Sequence, residues 1–281
     1  MTQNNQLMKT NMKKITISTL AVLLLMATGT SVSYAWGRLG HSTIGEIAER
    51  HLTETAKKNI EHYTGGEKLA EFASWVDEVT GIEPYKTEYR GWHASIADEN
   101  CCSPLYIRKD YRNCRDGVTA MEFFREYLSD YRKLKDSTVY EAIKCMVHIV
   151  GDFHCPQHVR YTDHHNEGKF PVTYKGKEYV FHAFWDSGLI QTASGLNWKQ
   201  YSTYADRLDT WNKGQIRKVT KGWAREWFED AARDIRPMAG VTKRGDNLGD
   251  DYIDKHIELA ETQIRKAGYQ LAAALNEIFG K

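Results

Sequence analysis

The chain has 281 residues, of which 41% are hydrophobic, and its 38 basic and 37 acidic side chains give a formal net charge of +1. This balance does not favour a duplex-binding protein, which usually presents a basic face to the phosphates. Beyond residue 35, no stretch approaches the roughly 18 consecutive apolar residues of a spanning helix, so the sequence does not indicate an integral membrane protein.

The first 35 residues have the pattern of a signal peptide. Three lysines precede an apolar core at 15–26, and the small-x-small triplet at 33–35 fits a cleavage site after Ala35. We therefore expect an exported protein, secreted or periplasmic, without stable membrane association. The remaining residues, 36–281, carry 35 basic and 37 acidic side chains and are predicted to form one domain.

Apolar residues recur at helical spacing through most of this domain. The pattern predicts helices at 41–52, 53–63, 66–79, 119–134, 137–154, 222–234 and 251–279. The segment 170–181 is the one good strand signal, with a turn at Lys175-Gly176-Lys177, and 80–116 reads as loop. The predicted fold class is therefore mostly α, a single helical domain with a small β-hairpin.

Two pairs of histidine and aspartate occur about thirty residues apart. His148 and Asp152 are four residues apart, as are His182 and Asp186, and residues at this spacing project from the same side of a helix. Imidazole and carboxylate groups are usual zinc ligands, whereas calcium prefers oxygen ligands alone. The pairs therefore predict a zinc site.

A proline separates the first pair from a third histidine. Pro156 should end the helix near Cys155 and let His158 face back toward the site, because proline lacks the N–H that a helix interior needs. His154 is two residues from Asp152 and should point away from it. We expect His154 to be hydrogen-bonded in the core or to support a ligand, rather than to bind metal.

The start of the domain and two later segments offer ligands of the same chemistry. Cleavage would free the α-amine of Trp36, whose pKa of about 8 leaves enough neutral amine to chelate a metal together with the carbonyl oxygen. His41 follows five residues later. Asp77 ends an amphipathic pattern, and His93 comes after the next loop.

Five cysteines in an exported protein predict disulfide bonds. We expect Cys101 or Cys102 to pair with Cys114 in a polar, loop-like stretch. Cys145 and Cys155 would lie about 15 Å apart on one helix, too far to pair with each other. They are expected to be buried thiols or to pair elsewhere, and the absence of a Cys-x2-Cys spacing argues against zinc binding by cysteine.

Taken together, these motifs resemble the zinc-dependent S1/P1 nuclease family, which shares its helical fold with bacterial zinc phospholipase C. The resemblance covers almost the whole of 36–281 and indicates a catalytic domain of that type. The matching segments are Trp36 with His41, 73–77, Trp92-His93, 148–152, 155–158, His182 with Asp186, and 248–250.

The resemblance implies nine ligands for three zinc ions. The three sets would be Asp77, His93, His148 and Asp152; Trp36 and His41 with Asp152 as the bridge; and His158, His182 and Asp186. By the same resemblance, Asp77 and Asp152 would be catalytic by positioning a zinc-bound hydroxide for in-line attack on phosphorus. The third zinc would steady the departing 3′-oxygen.

The leading hypothesis is an exported endonuclease that hydrolyses single-stranded DNA and RNA to 5′-phosphorylated products and acts as a monomer. Whether it also acts as a 3′-nucleotidase stays open. An unpaired base is readily unstacked and placed against an aromatic side chain. Weak candidates for such a platform, each with a core role favoured, are Tyr106, Tyr111, Phe184 and Trp185.

Two other functions stay open. A zinc-dependent phospholipase C would use the same zinc cluster, but it should have an apolar lip, and the segment 80–116 is polar and contains cysteine. The other alternative is a zinc-binding protein without catalysis. Thr80 and Ile96 stand where fungal family members typically have an arginine and an acid, and these departures bear on substrate preference and rate.

Overall fold

The structure is a computed structural model that describes residues 36–103, 114, 116–164, 168–207 and 211–281. Helices dominate these ranges, which confirms the predicted class. In chain order the helices are α1 (Gly37–Arg50), α2 (Glu54–Thr64), α3 (Trp75–Val79), α4 (Tyr85–Glu88), α5 (Gly117–Tyr127), α6 (Asp136–Phe153), α7 (Phe181–Ala183), α8 (Leu189–Ser194), α9 (Trp198–Ala205), α10 (Lys213–Val219), α11 (Ala224–Ile235) and α12 (Asp250–Phe279).

Two small sheets accompany the helices. The strands are β1 (Ser95–Ala97), β2 (Val159–Tyr161), β3 (Pro171–Tyr174), β4 (Lys177–Val180) and β5 (Asn247–Leu248). The antiparallel pair of β3 and β4 is the expected hairpin, and β5 extends it in parallel on the other edge of β3. The parallel pair of β1 and β2 lies in segments that the sequence did not predict as strands.

Helix α6 forms the centre of the domain. Twelve of its residues are buried, including every position from Cys145 to Phe153. Because it is surrounded on nearly all sides, its polar residues His148 and Asp152 lie in the protein interior. The helix ends at Phe153, just before Pro156, as the sequence predicts.

The long helix α12 packs closely against α1, which carries the first residues of the domain. Gly268 permits this approach, since a Cβ atom there would lie 2.5 Å from Cγ2 of Ile47. The buried face of α12 includes Ile264, Leu271 and Leu275, which belong to the apolar stripe predicted for that helix. This packing fixes α1 against the core and so fixes the side chains that α1 directs toward α6.

One predicted helix is much shorter than expected. The apolar pattern at 66–79 predicts a full helix, but only Trp75–Val79 is helical. The preceding backbone bonds to α1 instead: the Leu69 N–H donates to Glu49 at 3.0 Å, and the Ser42 hydroxyl donates to the Ala70 carbonyl at 2.7 Å. These tertiary bonds satisfy groups that a helix would otherwise pair locally.

Capping residues in the local sequence determine where helices α2 and α5 begin. Thr53 caps α2 by accepting the N–H of Ala56 at 3.2 Å, and Gly65 ends that helix in the left-handed conformation. Helix α5 begins two residues earlier than expected, because Asp116 is the cap and Thr119 completes a capping box.

In the part of the chain that the structure describes, no helix combines the length and apolar character needed to cross a membrane.

Candidate metal centre

His148 and Asp152 of α6 form the inner part of the site. His148 Nε2 lies 3.4 Å from Asp152 Oδ2, and both side chains are about 1% exposed. The other ring nitrogen of His148, Nδ1, donates to the carbonyl of Ala73 at 3.0 Å. That bond fixes the ring and directs Nε2 toward the carboxylate, which is how a supporting hydrogen bond prepares a metal ligand.

His41 reaches the same carboxylate from α1. Its Nε2 atom is 3.3 Å from Asp152 Oδ1, and its ring stacks on that of His148 with centroids 4.1 Å apart. The close approach depends on Gly151, because a Cβ there would lie 2.6 Å from Nδ1 of His41. Asp152 therefore faces His41 with one oxygen and His148 with the other.

Asp77 of α3 and His93, which precedes β1, complete this part of the site. His93 Nδ1 lies 3.4 Å from Asp77 Oδ1 and 3.4 Å from Asp152 Oδ2. His148 Nε2 is 3.5 Å from Asp77 Oδ1 and 3.2 Å from His93 Nδ1. Atoms of these four residues thus converge on one small volume, although they come from three separate segments of the chain.

A second group of ligand atoms lies beside the first. His182 Nε2 is 2.9 Å from His158 Nε2 and 3.4 Å from Asp186 Oδ2. Asp186 lies in the π-helical turn Phe184–Gly188 that joins α7 to α8. Such turns are rare and often occur at functional sites. His158 Nδ1 hydrogen-bonds to the carbonyl of His93, which directs its Nε2 toward this group.

The electrostatics of the site favour bound positive charge. Burial disfavours an ionised Asp152, but His148 and His158 more than offset this and hold its pKa well below the ordinary value. Likewise, burial opposes a charged His158, but Asp152 is the main group that raises its pKa, to about 9. The carboxylates of Asp77 and Asp152 are thus ionised at neutral pH, and in the absence of metal ions protons on His148 and His158 balance their charge.

The donor set fits metal ions. Among the described residues, several buried polar atoms of the site have no hydrogen-bond partner; these are both carboxylate oxygens of Asp152, both ring nitrogens of His41, Asp77 Oδ2 and His93 Nε2. Orphaned buried polar atoms are costly and call for a partner. Three groups have ligand atoms within 4.8 Å of one another: His41, Asp77 and His148; His93, His148 and Asp152; and Cys155, His158 and Asp186.

The predicted N-terminal ligand lies at the edge of this centre. Trp36 directly precedes α1 and its side chain is fully buried. The adjacent Gly37 has φ +45°, and a Cβ there would lie 2.1 Å from Oγ of Ser187. The start of the predicted mature chain therefore lies against the turn that carries Asp186.

The structure also shows what supports the ligands. His154 points away from the centre, as expected, and its two ring nitrogens lie 2.7 Å from Gln263 Oε1 and 2.7 Å from Gln270 Oε1. Cys155, expected to be a buried thiol or to pair elsewhere, is fully buried, and its sulfur lies 3.4 Å from Asp186 Oδ1. No sequence pattern predicts this contact, because 31 residues separate the two positions.

Two groups of sequence predictions need correction. Phe184 and Trp185 are fully buried, so they offer no face to a base; Trp185 instead donates to Tyr252 at 3.0 Å. Tyr106 and Tyr111 lie outside the described residues. Cys101 and Cys102 both have free thiols, which contradicts the expected disulfide bond between one of them and Cys114. Cys114 donates to the carbonyl of Thr119, in the first turn of α5, at 3.4 Å.

Comparisons with known proteins agree with this geometry. The family model described as S1/P1 Nuclease matches residues 36–280. Nuclease S1 of Aspergillus oryzae is 27% identical over 272 residues, which cover 88% of this chain and 93% of that protein. Nuclease P1 of Penicillium citrinum is 28% identical over 276 residues, 87% and 98% of the two chains. Endonuclease 2 of Arabidopsis thaliana is 25% identical over 286 residues, 88% and 91%.

Proposed function

The chain belongs to the S1/P1 nuclease family and hydrolyses phosphodiester bonds, and from this premise we propose that it is an exported, trinuclear zinc nuclease of single-stranded DNA and RNA. Cleavage after Ala35 would release a monomeric enzyme that starts at Trp36 and acts outside the cytoplasm. Its products would carry 5′-phosphates, and 3′-nucleotides are further candidate substrates.

The observation that carries this proposal is the convergence of buried carboxylates and imidazoles around Asp152. One set of zinc ligands would be Asp77, His93, His148 and Asp152; the second would be Trp36, His41 and Asp152; and the third would be His158, His182 and Asp186. When bound, zinc ions supply charge neutralisation for the phosphate and lower the pKa of water toward neutrality. Asp152 would be shared by two of these sets, since its oxygens face His41 and His148 separately.

The protein residues would position the reaction. Asp77 and Asp152 both approach His93, and each has an oxygen 3.4 Å from its Nδ1 atom. Their fixed, ionised carboxylates would hold the attacking water in line with the scissile phosphate. His158 and His182, whose Nε2 atoms are 2.9 Å apart, would face the departing oxygen.

The substrate would enter where the ligands are least buried. The His93 and His182 side chains are 18% and 15% exposed, whereas Asp152 and Asp186 are each 1% exposed. A phosphate group must therefore descend into a recess to reach the centre. A single strand can bend its backbone into such a recess and unstack a base, whereas paired bases resist this distortion.

An exposed cation lies on the strands next to the ligands. Ile96 and Arg160 are directly paired in the parallel sheet of β1 and β2, and their neighbours on both strands are buried. Arg160 is exposed and lies two residues after His158. We infer that its guanidinium contacts a phosphate beside the scissile bond.

The test is an assay of the purified, processed protein with single-stranded DNA, RNA and phosphatidylcholine. We expect oligonucleotides to be cleaved to 5′-phosphorylated products, with activity lost on chelation and restored by zinc. Lipid turnover without nucleotide release would favour a phospholipase instead. Zinc binding without turnover of any phosphodiester would favour a protein that has lost catalysis.

A further inference from the structure

Cys155 lies between two of the predicted ligand sets, beside Asp186 of the third set and Trp36 of the second. It lies two residues beyond the end of α6 and is fully buried. Its thiol donates to Asp186 Oδ1 at 3.4 Å, and its sulfur, His158 and Asp186 have ligand atoms within 4.8 Å of one another. A buried thiol beside a carboxylate has one proton to donate, and here that proton is directed at a predicted metal ligand.

Two backbone N–H groups lie near the same sulfur. Burial raises the pKa of the Cys155 thiol well above its ordinary value, and the N–H groups of Trp36 and Gln157 oppose this rise. Trp36 is the residue whose nitrogen would become the α-amine of the processed chain, and an amine that binds a metal through its lone pair still has hydrogens to donate. Cys155 therefore touches a ligand of the second set and a ligand of the third set.

The thiol also orients the Asp186 carboxylate and so determines which of its oxygens faces His182. Oδ1 receives the thiol proton and lies 4.0 Å from Nε2 of His158, while Oδ2 lies 3.4 Å from Nε2 of His182. Without the thiol, the carboxylate could rotate, and Oδ1 would be a buried acceptor without that donor. The geometry thus assigns the two oxygens different tasks, one held by sulfur and one turned toward His182.

We propose that Cys155 is a positioning residue that fixes the Asp186 carboxylate relative to the Trp36 nitrogen. The second and third ligand sets are thereby preorganised together. This inference rests on the proposed function, because it concerns ligands of the proposed zinc sites. It differs from direct binding by sulfur, in which the thiol would lose its proton to solvent and become a ligand itself.

The experiment is a stepwise zinc titration of the metal-free, processed protein against a competing chelator. Cys155→Ala and the similarly sized Cys155→Val should weaken binding of at least one ion by about tenfold or more, the loss typical when a supporting partner of a ligand is removed. Cys155→Ser should bind nearly as wild type, because its hydroxyl still donates to Asp186 and accepts from Trp36.

Cys145→Ala is the matched control. Cys145 is also buried and lies on α6, but its thiol interacts with Glu141, Lys144 and Tyr89 rather than with predicted ligands. Its substitution should leave every zinc affinity unchanged. Thermal unfolding of the metal-free proteins establishes whether each variant is folded. Cys155→Val nearly preserves the side-chain volume in the core, so it serves as the test if Cys155→Ala does not fold.

Three results would overturn the inference. Folded Cys155→Ala and Cys155→Val proteins with wild-type zinc affinities would remove the positioning role while leaving the proposed function intact. A sulfur-to-cobalt charge-transfer band in the Co²⁺ protein that disappears in Cys155→Ser would make Cys155 a ligand rather than a positioning residue. A wild-type protein that binds no zinc would overturn the proposed function and this inference with it.

Discussion

His41 and Asp152 meet across two helices, with Nε2 of the histidine 3.3 Å from Oδ1 of the aspartate and both side chains almost fully buried. The contact joins the first helix of the domain to its central helix. The opposite oxygen of Asp152 faces His148 and His93, so one carboxylate connects ligands from three segments. This arrangement makes Asp152 the residue whose loss should affect the centre most widely.

Asp152→Asn should disrupt two metal positions at once. The amide has nearly the same shape but lacks the charge that opposes the cations, so we expect metal affinity to fall more than the roughly 10- to 100-fold seen when only a supporting partner is lost. Metal content and nuclease activity measure this. Asp254→Asn, at an exposed position of α12, is the matched control. Full metal content in Asp152→Asn would contradict the bridging role.

Gly151→Ala should impair activity without weakening α6. Alanine favours a helix interior over glycine by about 1 kcal/mol, but its Cβ atom would lie 2.6 Å from His41 Nδ1 and must displace that ring. A shift of about 1 Å in a ligand can lower the rate by roughly 100-fold. Gly81→Ala is the control, because a Cβ there meets nothing within 4 Å. Steady-state kinetics measure the loss of activity, and unfolding curves measure the stability of the variant. An unchanged kcat would refute the steric argument.

One residue added before Trp36 should strongly reduce activity. The extra peptide bond would convert the α-amine into an amide that no longer binds a metal well, and Trp36 is buried where little space remains. A processed protein with an additional alanine at this end can be compared with one extended after Lys281, which is exposed. Mass spectrometry verifies each terminus. Full activity with the N-terminal extension would exclude the amine as a ligand.

Zinc affinity should rise with pH through neutrality. The pKa of His158 in the metal-free protein is raised to about 9, above its ordinary value near 6.5, chiefly because Asp152 offsets the effect of burial. Below pH 9 the ring therefore holds a proton that zinc must displace, and each displaced proton makes affinity about tenfold greater per pH unit. Calorimetry in buffers of different ionisation enthalpy counts these protons.

His158→Gln should release fewer protons at neutral pH than the wild type, since its amide has none to lose. His256→Gln, which changes a partly buried histidine outside the predicted ligand set, should release as many as the wild type. Zinc affinity that stays constant with pH would show that the ligands are already deprotonated.

Arg160→Ala should weaken substrate binding more than it slows the chemical step. Loss of one phosphate contact is expected to raise KM for single-stranded DNA by about tenfold, or about 1.4 kcal/mol. It should also make the slope of the logarithm of the binding constant against the logarithm of the salt concentration less negative by about 0.7. Arg217→Ala, at an exposed position of α10, is the control. A fall in kcat with unchanged KM and salt dependence would place Arg160 elsewhere in the reaction.

Local features of the sequence determined much of this protein. The four-residue spacing of His148 and Asp152 sufficed to place them on one side of a helix, because helical geometry is set by neighbouring residues. Pro156 ended that helix for an equally local reason. The apolar stripes of α2, α6, α11 and α12 likewise predicted their helices, with ends displaced by a few residues at most.

The tertiary structure decided everything that depends on contacts between distant residues. Bonds to α1 kept most of 66–79 from becoming a helix, and long-range pairing created the strands beside His93 and His158. Burial removed Phe184 and Trp185 from the possible base platforms, and Cys101 and Cys102, one of which was expected to form a disulfide bond, both have free thiols. Cys155 gained its contact with Asp186 only through folding. Sequence patterns specify how a segment folds locally, whereas packing determines which segments meet.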